Sequence, residues 1–441
     1  MSNLAFVSKI IEKVVSARIG HHLASNNLYE CFQSAYRKHH GTETALLRVQ
    51  NDILCHIDQK RGVFLVLLDL SAAFDTIDHG ILLSRLSSFG VRGSALEWIR
   101  SYLSDRTQSV NINGCLSSFL PLLFGVFQGS VLGPQFFTIY SSPIANIARK
   151  HGLQVHMYAD DTQLYLSFDL KNSCDEITAR SRIESCIKDI KVWMTVNKLK
   201  LNDDKTEFLI ISSKYHKSKP TTNSLQIASS NIHASCNARN LGIVFDNTLS
   251  MEDHIKNMCK STYFQIRNIN LIRKVLDDDT AATLVHALVT SRLDNGNALL
   301  YGISERQLHK LQFAQNAAAR MLTRTRKFDH VTPVLQRLHW LPVRYRIHFK
   351  LLLLTWKALH DMAPSYICEL INLHVPSRQL RSSNKRLLYV PRTMSSYGDQ
   401  AFCSSAPRLW NSLPADLRFC DSLDTFKKSL KTHLFKIAYA H

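Results

Sequence analysis

The sequence predicts an α+β chain organised around a small sheet, on three observations. Residues 63–70, VFLVLLDL, form a continuous apolar run of the length of a buried central strand. VHMYA and TQLYLSF flank Asp160 and Asp161 as two strand-like runs, which reads as a β-hairpin with the acids at its tip. Most of the remaining chain carries apolar residues at three- and four-residue steps, the helical period.

Taken in order, Leu4, Val7, Ile10, Ile11, Val14, Val15 and Ile19 make one apolar helix face, and Gly20 is expected to end that helix. A chain that enters a helix with no lead-in predicts a fragment of something longer. After the central strand, helical patterns run through 81–103, and a β-rich stretch follows at 108–119. GVFQGSVLGPQFF supplies turn glycines and Pro134 before a helix reaching about Lys150. The hairpin comes next, then an amphipathic helix over 175–197 with Ile177, Ile183, Ile187, Ile190, Trp193 and Met194. LKLNDDKTEFLIIS reads as turn and strand, NLGIVFD as a short strand, and the chain beyond about 252 as helical. SRQLRSSNKR, 377–386, is expected to be an exposed basic loop.

The 441 residues are enough for roughly three domains of ~150 residues. An apolar fraction of 45% supports a buried core and argues against gross disorder. The 54 basic against 35 acidic side chains give a formal charge of +19, which suits a polyanion, nucleic acid before anionic membrane. Ten cysteines fall singly, none at C-x-x-C spacing, which argues against a zinc ribbon or finger and for reduced thiols. No signal peptide opens the chain and no apolar run approaches the ~18 residues of a membrane span, so a nuclear and cytoplasmic protein with no membrane partner is expected.

Paired acids at a hairpin tip can be a solvated turn, because Asp suits turns. The second reading starts from Asp69, a third acid at the end of the buried strand. Strand ends of one sheet can bring three carboxylates together, and such a cluster needs compensating cations. Magnesium answers that need, since carboxylate and phosphate oxygens are its preferred ligands. Two such ions about 4 Å apart serve phosphoryl or nucleotidyl transfer.

LLDLSAAFDTIDH, GVFQGSVLGP, YADDTQLY, NKLKLNDDKTEFLI and NLGIVFD follow the order of the palm motifs of reverse transcriptases. The wording resembles non-LTR (LINE-type) retrotransposons of the jockey-like group. FQSAYRKHHGTETALL resembles that group's fingers motif, and LHWLPVRYRIHFKLLLLTWKALH and SYGDQAFCSSAPRLWNSLPADLR resemble its C-terminal region, so the likeness covers essentially the whole chain. It implies a right-hand polymerase fold: partial fingers over 1–60, a palm with an antiparallel sheet over 61–250, a helical thumb over 251–345 and a C-terminal helical extension over 346–441. The implied activity is RNA-directed DNA synthesis, with an RNA template, a DNA primer and deoxynucleoside triphosphates as partners. The implied cofactor is a pair of Mg2+ ions, with Mn2+ as an alternative, and no other small-molecule cofactor.

By the same resemblance Asp69, Asp160 and Asp161 match the metal-binding catalytic carboxylates, and Lys205 the lysine that protonates pyrophosphate. For Lys205 an ion pair with Asp203, Asp204 or Glu207 stays open. Phe74 matches the sugar gate that excludes a 2′-hydroxyl, with a core aromatic as its alternative. Gln128 and Gly129 match the motif lining the template base and incoming nucleotide. Leu241 and Gly242 match the primer grip. Arg37 and Lys38 fall in the fingers motif, as template or triphosphate contacts or as a solvated loop.

The pattern is broken in three ways. Nothing corresponds to an N-terminal endonuclease, and the first fingers motifs with their triphosphate-clamping cations are expected before residue 1, a loss of about 1.5–3 kcal/mol each. Phe127 stands where proline is usual, and Gln135 where leucine is usual. A truncated remnant that binds nucleic acid without turnover is therefore the alternative reading, and another palm-fold enzyme such as a nucleotide cyclase a third. Downstream, Arg320, Arg324, Arg326, Lys327, Arg337, Arg344, Arg346 and Lys350, with only Asp329 nearby in sequence, suggest a surface holding a duplex or RNA. Trp340, Trp356 and Trp410 are assigned to the core, and the pairs His21–His22 and His39–His40 have no metal-site partners.

Overall fold

The structure, a computed structural model, describes residues 6–218, 220–227, 230–375 and 385–440. Of the expected basic loop, residues 377–384 lie outside the described residues. The chain forms two compact units, one drawn from 1–40, 64–208 and 220–234, the other from 41–63, 209–219 and 235–441.

The chain contains a six-stranded sheet, most of it in the first unit, with strands Arg61–Leu68 and Glu207–Ile211 divided between the two. The order of the sheet is Ser224–Ile227, Ser230–Ser235, Glu207–Ile211, Arg61–Leu68, Asp161–Asp169, Gln154–Tyr158. The expected central strand is central. Val63, Phe64, Leu65 and Val66 are fully buried, as a strand covered on both faces requires. Phe64 stacks on Phe168 at 4.2 Å and lies 5.6 Å from Phe208.

Helix Ser173–Val196 covers the sheet. Asn172 caps it, accepting from Cys174 N and Asp175 N, and Asp175 and Glu176 complement the dipole in its first turn. Ala179, Ile183, Ile187, Ile190 and Met194 are its buried face, whereas Ile177 is 63% exposed and lies outside it.

Two expectations need correction here. The first helix runs Phe6–Ser25, through Gly20, and the apolar residues Val7, Ile10, Ile11 and Val14 are exposed. Its buried positions are Glu12, Ile19 and Leu23. The segment 108–119 forms only two-residue ladders, Thr107–Gln108 with Leu120–Pro121 and Asn111–Ile112 with Cys115–Leu116, around an Asn113–Gly114 turn at positive φ.

The second unit is mainly helical. Helix Thr42–Asp58 is buried along most of its length and packs against Asn297–Leu300, Ser396–Gln400 and Phe402–Asn411. Gln50 Nε2 donates to Leu299 O at 3.0 Å, and Asp58 accepts from Met394 N, Ser395 N and Ser395 Oγ. Helix Glu252–Ile272 packs on Glu305–Thr323, and Val343–Leu359 on Phe402–Asn411 and Leu423–Tyr439. Trp356 and Trp410 are buried around Phe426, and Trp340 is buried as well. No helix among the described residues is long and apolar enough to cross a membrane.

His254 is 6% exposed, and burial holds its imidazole down at about 4; burial and Arg344 do the same for His348. An unfolded chain takes up these protons near pH 6.5, whereas the folded chain excludes them until about 4. The stability these groups supply is therefore complete above pH 6.5 and is lost as pH falls towards 4, by about 2–3 kcal/mol for His254. Urea midpoints at pH 7.5 and pH 5 should accordingly converge in His254→Leu relative to the parent. An equal acid-induced fall in both proteins would remove His254 from the account.

Candidate active site

The two hairpin strands pair antiparallel, with Tyr158 opposite Asp161, so Ala159 and Asp160 make the turn. Ala159 sits at φ +56°, an uncommon backbone for a side chain with a Cβ. What holds it there is Gln33, 2% exposed, whose Oε1 accepts from Ala159 N at 3.0 Å while Nε2 donates to Ala159 O at 3.4 Å. On either side Met157 N donates to Phe32 O and Ser34 N to Met157 O. The turn that carries Asp160 is thus clamped by the segment 32–34. Gln33 lies within FQSAYRKHHGTETALL, but nothing in that stretch of sequence marks it as the residue that fixes this turn. Gln33→Ala should release the turn, seen as amide exchange at Ala159 and Asp160 about a hundredfold faster, with thermal unfolding shifted by only a few degrees. Exchange as slow as in the parent would show that the hairpin fixes the acid unaided.

Asp69 follows the central strand. Its carbonyl accepts from Asn202 N at 2.9 Å, and Leu70–Ser71 pairs with Lys200–Leu201. This pairing delivers the tight turn Asp203–Lys205, so that Lys205 Nζ stands 3.1 Å from Asp69 Oδ2. Lys205 therefore pairs with Asp69, and it is Lys191 that pairs with Asp203, at 2.7 Å.

The acids sense one another. Burial, then Asp160, then Asp69 push the Asp161 carboxyl up to about 6, with Lys205 opposing. Burial and Asp69 also raise Asp160. Asp69 Oδ2 is buried, and the nearby ammonium is not aligned to donate to it. Three mutually repelling carboxylates with an unsatisfied buried oxygen fit a divalent cation held by oxygen ligands. Among the described residues, no three Asp, Glu, His or Cys side chains already stand in an arrangement that could hold a metal ion.

Phe74 is half-buried, its ring 4.9 Å from Phe137. Val126 N donates to Phe74 O, and a Cβ on Gly125 (φ +85°) would meet Asp75 O at 2.9 Å, so glycine is what lets these two segments touch. Across that contact Gln128 Nε2 donates to Asp75 Oδ1 at 3.1 Å, and Gly129, at φ +93°, is exposed beside it. The structure thus joins Phe74 to the Gln128–Gly129 loop.

The unusual residues of this region are accommodated. Phe127 meets Tyr102 edge-on at 5.5 Å, and the buried Gln135 accepts from Ser16 Oγ at 3.1 Å. Glu12, 1% exposed, accepts from Val131 N and Leu132 N, capping the helix Leu132–Ser141 from the first helix.

Arg37 serves its own loop: Nη1 donates to Glu30 O and Gln33 O, and the guanidinium lies 4.5 Å from the Tyr29 ring. Lys38 is exposed. Tyr36, unremarked in the sequence, has its hydroxyl raised by burial first and then by Asp160. In the second unit Leu241 (φ +46°) and Gly242 (φ +89°) are the two-residue turn of the hairpin Asn237–Asn240 and Ile243–Asp246. The downstream basic run is less bare than its sequence suggests. Arg344 pairs with Glu305, Arg346 with Asp294 and Lys350 with Glu43. Among the described residues no ion pair engages Arg324, Arg326, Lys327 or Arg337.

Residues 1–245 match the family described as reverse transcriptase (RNA-dependent DNA polymerase). The chain belongs to this family, and the α+β right-hand polymerase class predicted for it stands. It is 25% identical over 337 residues to the probable RNA-directed DNA polymerase from transposon BS of Drosophila melanogaster, covering 73% of this chain and 36% of that one. It is 26% identical over 334 residues to the RNA-directed DNA polymerase from the mobile element jockey of Drosophila funebris, covering 73% and 35%. The chain therefore spans about a third of the length of these relatives. The likeness to non-LTR, LINE-type elements is borne out. Among solved structures, telomerase from Candida tropicalis aligns with 74% of this chain and 60% of its own, at 12% identity and a TM-score of 0.37.

Proposed function

We propose that the chain is an RNA-directed DNA polymerase that extends a DNA primer on an RNA template. The observation that supports this is the electrostatic influence of the acids on one another, Asp69 raising Asp160, and Asp160 and Asp69 raising Asp161, beside the burial of both. These three carboxylates would hold divalent metal, Mg2+ or Mn2+, which when bound lowers the barrier to in-line attack at phosphorus. The chain's own contribution is placement. Gln33 fixes the turn that carries Asp160, and the Asn202–Asp69 backbone bond fixes Asp69. Lys205 stands as a proton donor towards a leaving pyrophosphate. Phe74, braced by Phe137, offers a ring against which a deoxyribose rests and a 2′-hydroxyl does not fit. Gln128 and Gly129 bring a flexible amide and open backbone to the base pair. Arg37 holds the fingers loop through its carbonyl contacts, and Leu241–Gly242 is a tight turn suited to a primer end.

In this reading residues 1–60 serve as fingers, 61–250 as palm, 251–345 as thumb and 346–441 as an element-specific extension. The compact units divide the chain differently, since residues 41–58 cluster with the helices beyond 252. A second reading, nucleic-acid binding without turnover, is favoured by the absence, among the described residues, of any three acids, histidines or cysteines arranged to hold a metal ion, and by the Lys205 ammonium beside Asp69. Primer extension separates the two. The full chain with an RNA template, annealed DNA primer, four deoxynucleotides and magnesium should lengthen the primer. Duplex binding that weakens with salt, with no extension under magnesium or manganese, would establish the second reading.

A further inference from the structure

Two cysteines of the second unit, remote in sequence, stand sulfur to sulfur. Cys55 Sγ, on helix Thr42–Asp58, lies 3.6 Å from Cys403 Sγ, in the first turn of helix Phe402–Asn411. Both residues are partly exposed, so a small solute can reach them. Asn51, one helical turn before Cys55 and 3% exposed, accepts from Cys403 N at 3.0 Å. Asp58 accepts from Met394 N and Ser395 N, and a Cβ on Gly398 would meet Asp58 Cγ at 2.5 Å. Glycine therefore lets the segment before Cys403 lie against this helix. Asn51 and Asp58 bracket Cys55 along the helix, so backbone contacts set the approach of the two sulfurs.

The two thiols are not equivalent. A hydrogen bond between the two sulfurs, then burial, raises the Cys55 thiol; the same bond lowers the Cys403 thiol, against burial and the carboxylates of Asp52 and Asp58. Those carboxylates are engaged elsewhere: Arg48 Nε donates to Asp52 Oδ2 at 2.9 Å, and Asp58 takes the amides near Ser395. Cys403 also sits at the positive end of its helix dipole. The thiolate is the nucleophile of cysteine chemistry, so Cys403 is the sulfur that attacks and Cys55 the one that resolves.

We propose that Cys55 and Cys403 are a peroxide-responsive pair that closes to a disulfide and locks helix Thr42–Asp58 to helix Phe402–Asn411. The Cys403 thiolate attacks one oxygen of hydrogen peroxide and the O–O bond breaks. The departing hydroxide takes up the proton that Cys403 released, and Cys403 is left as a sulfenic acid. The Cys55 sulfur then attacks the Cys403 sulfur. The S–S bond forms, the S–O bond breaks, and the departing hydroxide takes the Cys55 proton. Two thiols lose two electrons and two protons, and one peroxide becomes two waters. A dithiol reductant restores the pair by exchange. The bond joins residues 348 apart in the chain, and closing so long a loop constrains the unfolded state strongly. The inference uses no residue of the proposed catalytic set and does not require turnover.

The test uses the full chain, reduced, freed of reductant and exposed to hydrogen peroxide at neutral pH. Peptide mapping should recover Cys55 joined to Cys403, formed about tenfold faster than the exposed Cys31, Cys115 and Cys174 are consumed. The oxidised chain should unfold at higher urea than the reduced one, and dithiothreitol should reverse the shift. In Cys55→Ser, dimedone should label a sulfenic acid at Cys403; in Cys403→Ser it should leave Cys55 unlabelled. Absence of the joined peptide, its formation no faster than loss of the exposed thiols, or an unchanged urea midpoint would overturn the proposal. Dimedone on Cys55 in place of Cys403 would overturn it as well. Failure of primer extension by a chain that forms the disulfide and is then reduced again would count against the polymerase reading alone.

Discussion

Asp160→Ala/Asp161→Ala is expected to abolish magnesium-dependent primer extension, by about three orders of magnitude or more, while the folded chain becomes more stable. The two effects share one cause. Burial and the neighbouring acids raise both carboxyls, so each negative charge placed there at neutral pH works against folding. For Asp161 the shift from the ordinary carboxylate range to about 6, discounted for its partial exposure, is about 1–2 kcal/mol. Its sign follows from proton binding. Between about pH 4 and 6 the folded chain holds a proton that the unfolded chain has released, so stability falls as pH rises through that window and the loss persists at pH 7. Removing the acids lifts that penalty. Binding of a primer–template duplex should stay within about twofold, because phosphate contacts dominate it. Extension assays, duplex binding and thermal melts of the same two proteins check all three outcomes. A double variant that lost activity by unfolding at lower temperature would show that the acids are structural.

Asp246→Ala should destabilise the second unit by about 3–5 kcal/mol. Asp246 closes the hairpin that begins at Asn237, and the residue is 7% exposed. It accepts from Thr248 N, Thr248 Oγ1, Ser250 N, Ser250 Oγ and Met251 N, at 2.7 to 3.2 Å. These bonds hold Leu249 at φ +51° and Met251 at φ +59°, two side chains in a backbone region that costs free energy. Alanine leaves several donors unsatisfied and the strained turn unsupported. Asp246→Asn keeps one oxygen acceptor and should cost about half as much. Urea unfolding measures both; a loss under 1 kcal/mol for alanine would mean the turn is held by packing.

What the sequence made legible, and what it did not, follows from the range of the interactions. The central strand, the hairpin of Asp160 and the helix of Ile183 and Ile187 were readable because period and turn chemistry are local. Lys205 was not assignable from sequence, since Asp203, Asp204 and Glu207 lie closer along the chain than Asp69 does. The expected apolar face of the first helix holds at Ile19, which is buried, and fails over its first half. Its apolar stripe at Val7 and Ile10 is exposed, because the buried partner that matters is the Glu12 carboxylate serving two amides over a hundred residues away. Gln33 and Asp246 act on backbone groups, and single polar residues of that kind leave no pattern to read. Arg346 and Lys350 looked unopposed because their acids, Asp294 and Glu43, are remote in sequence.

The interleaving of the two units bears on how the chain is made. Helix Thr42–Asp58 emerges early, but the segment Asn297–Leu300 that Gln50 bonds to follows about 240 residues later, and the Asp58 partners near Ser395 later still. At about 5–20 residues per second, the ribosome leaves this helix waiting for roughly 10–50 s with its apolar side uncovered. The first unit can close around the sheet in that interval, but the second cannot close until synthesis is nearly complete. Slowed elongation or an early stop should therefore yield chains that hold a finished sheet and an adhesive helix together. Recovery of intact protein from cells should respond to chaperone supply more than to growth temperature alone.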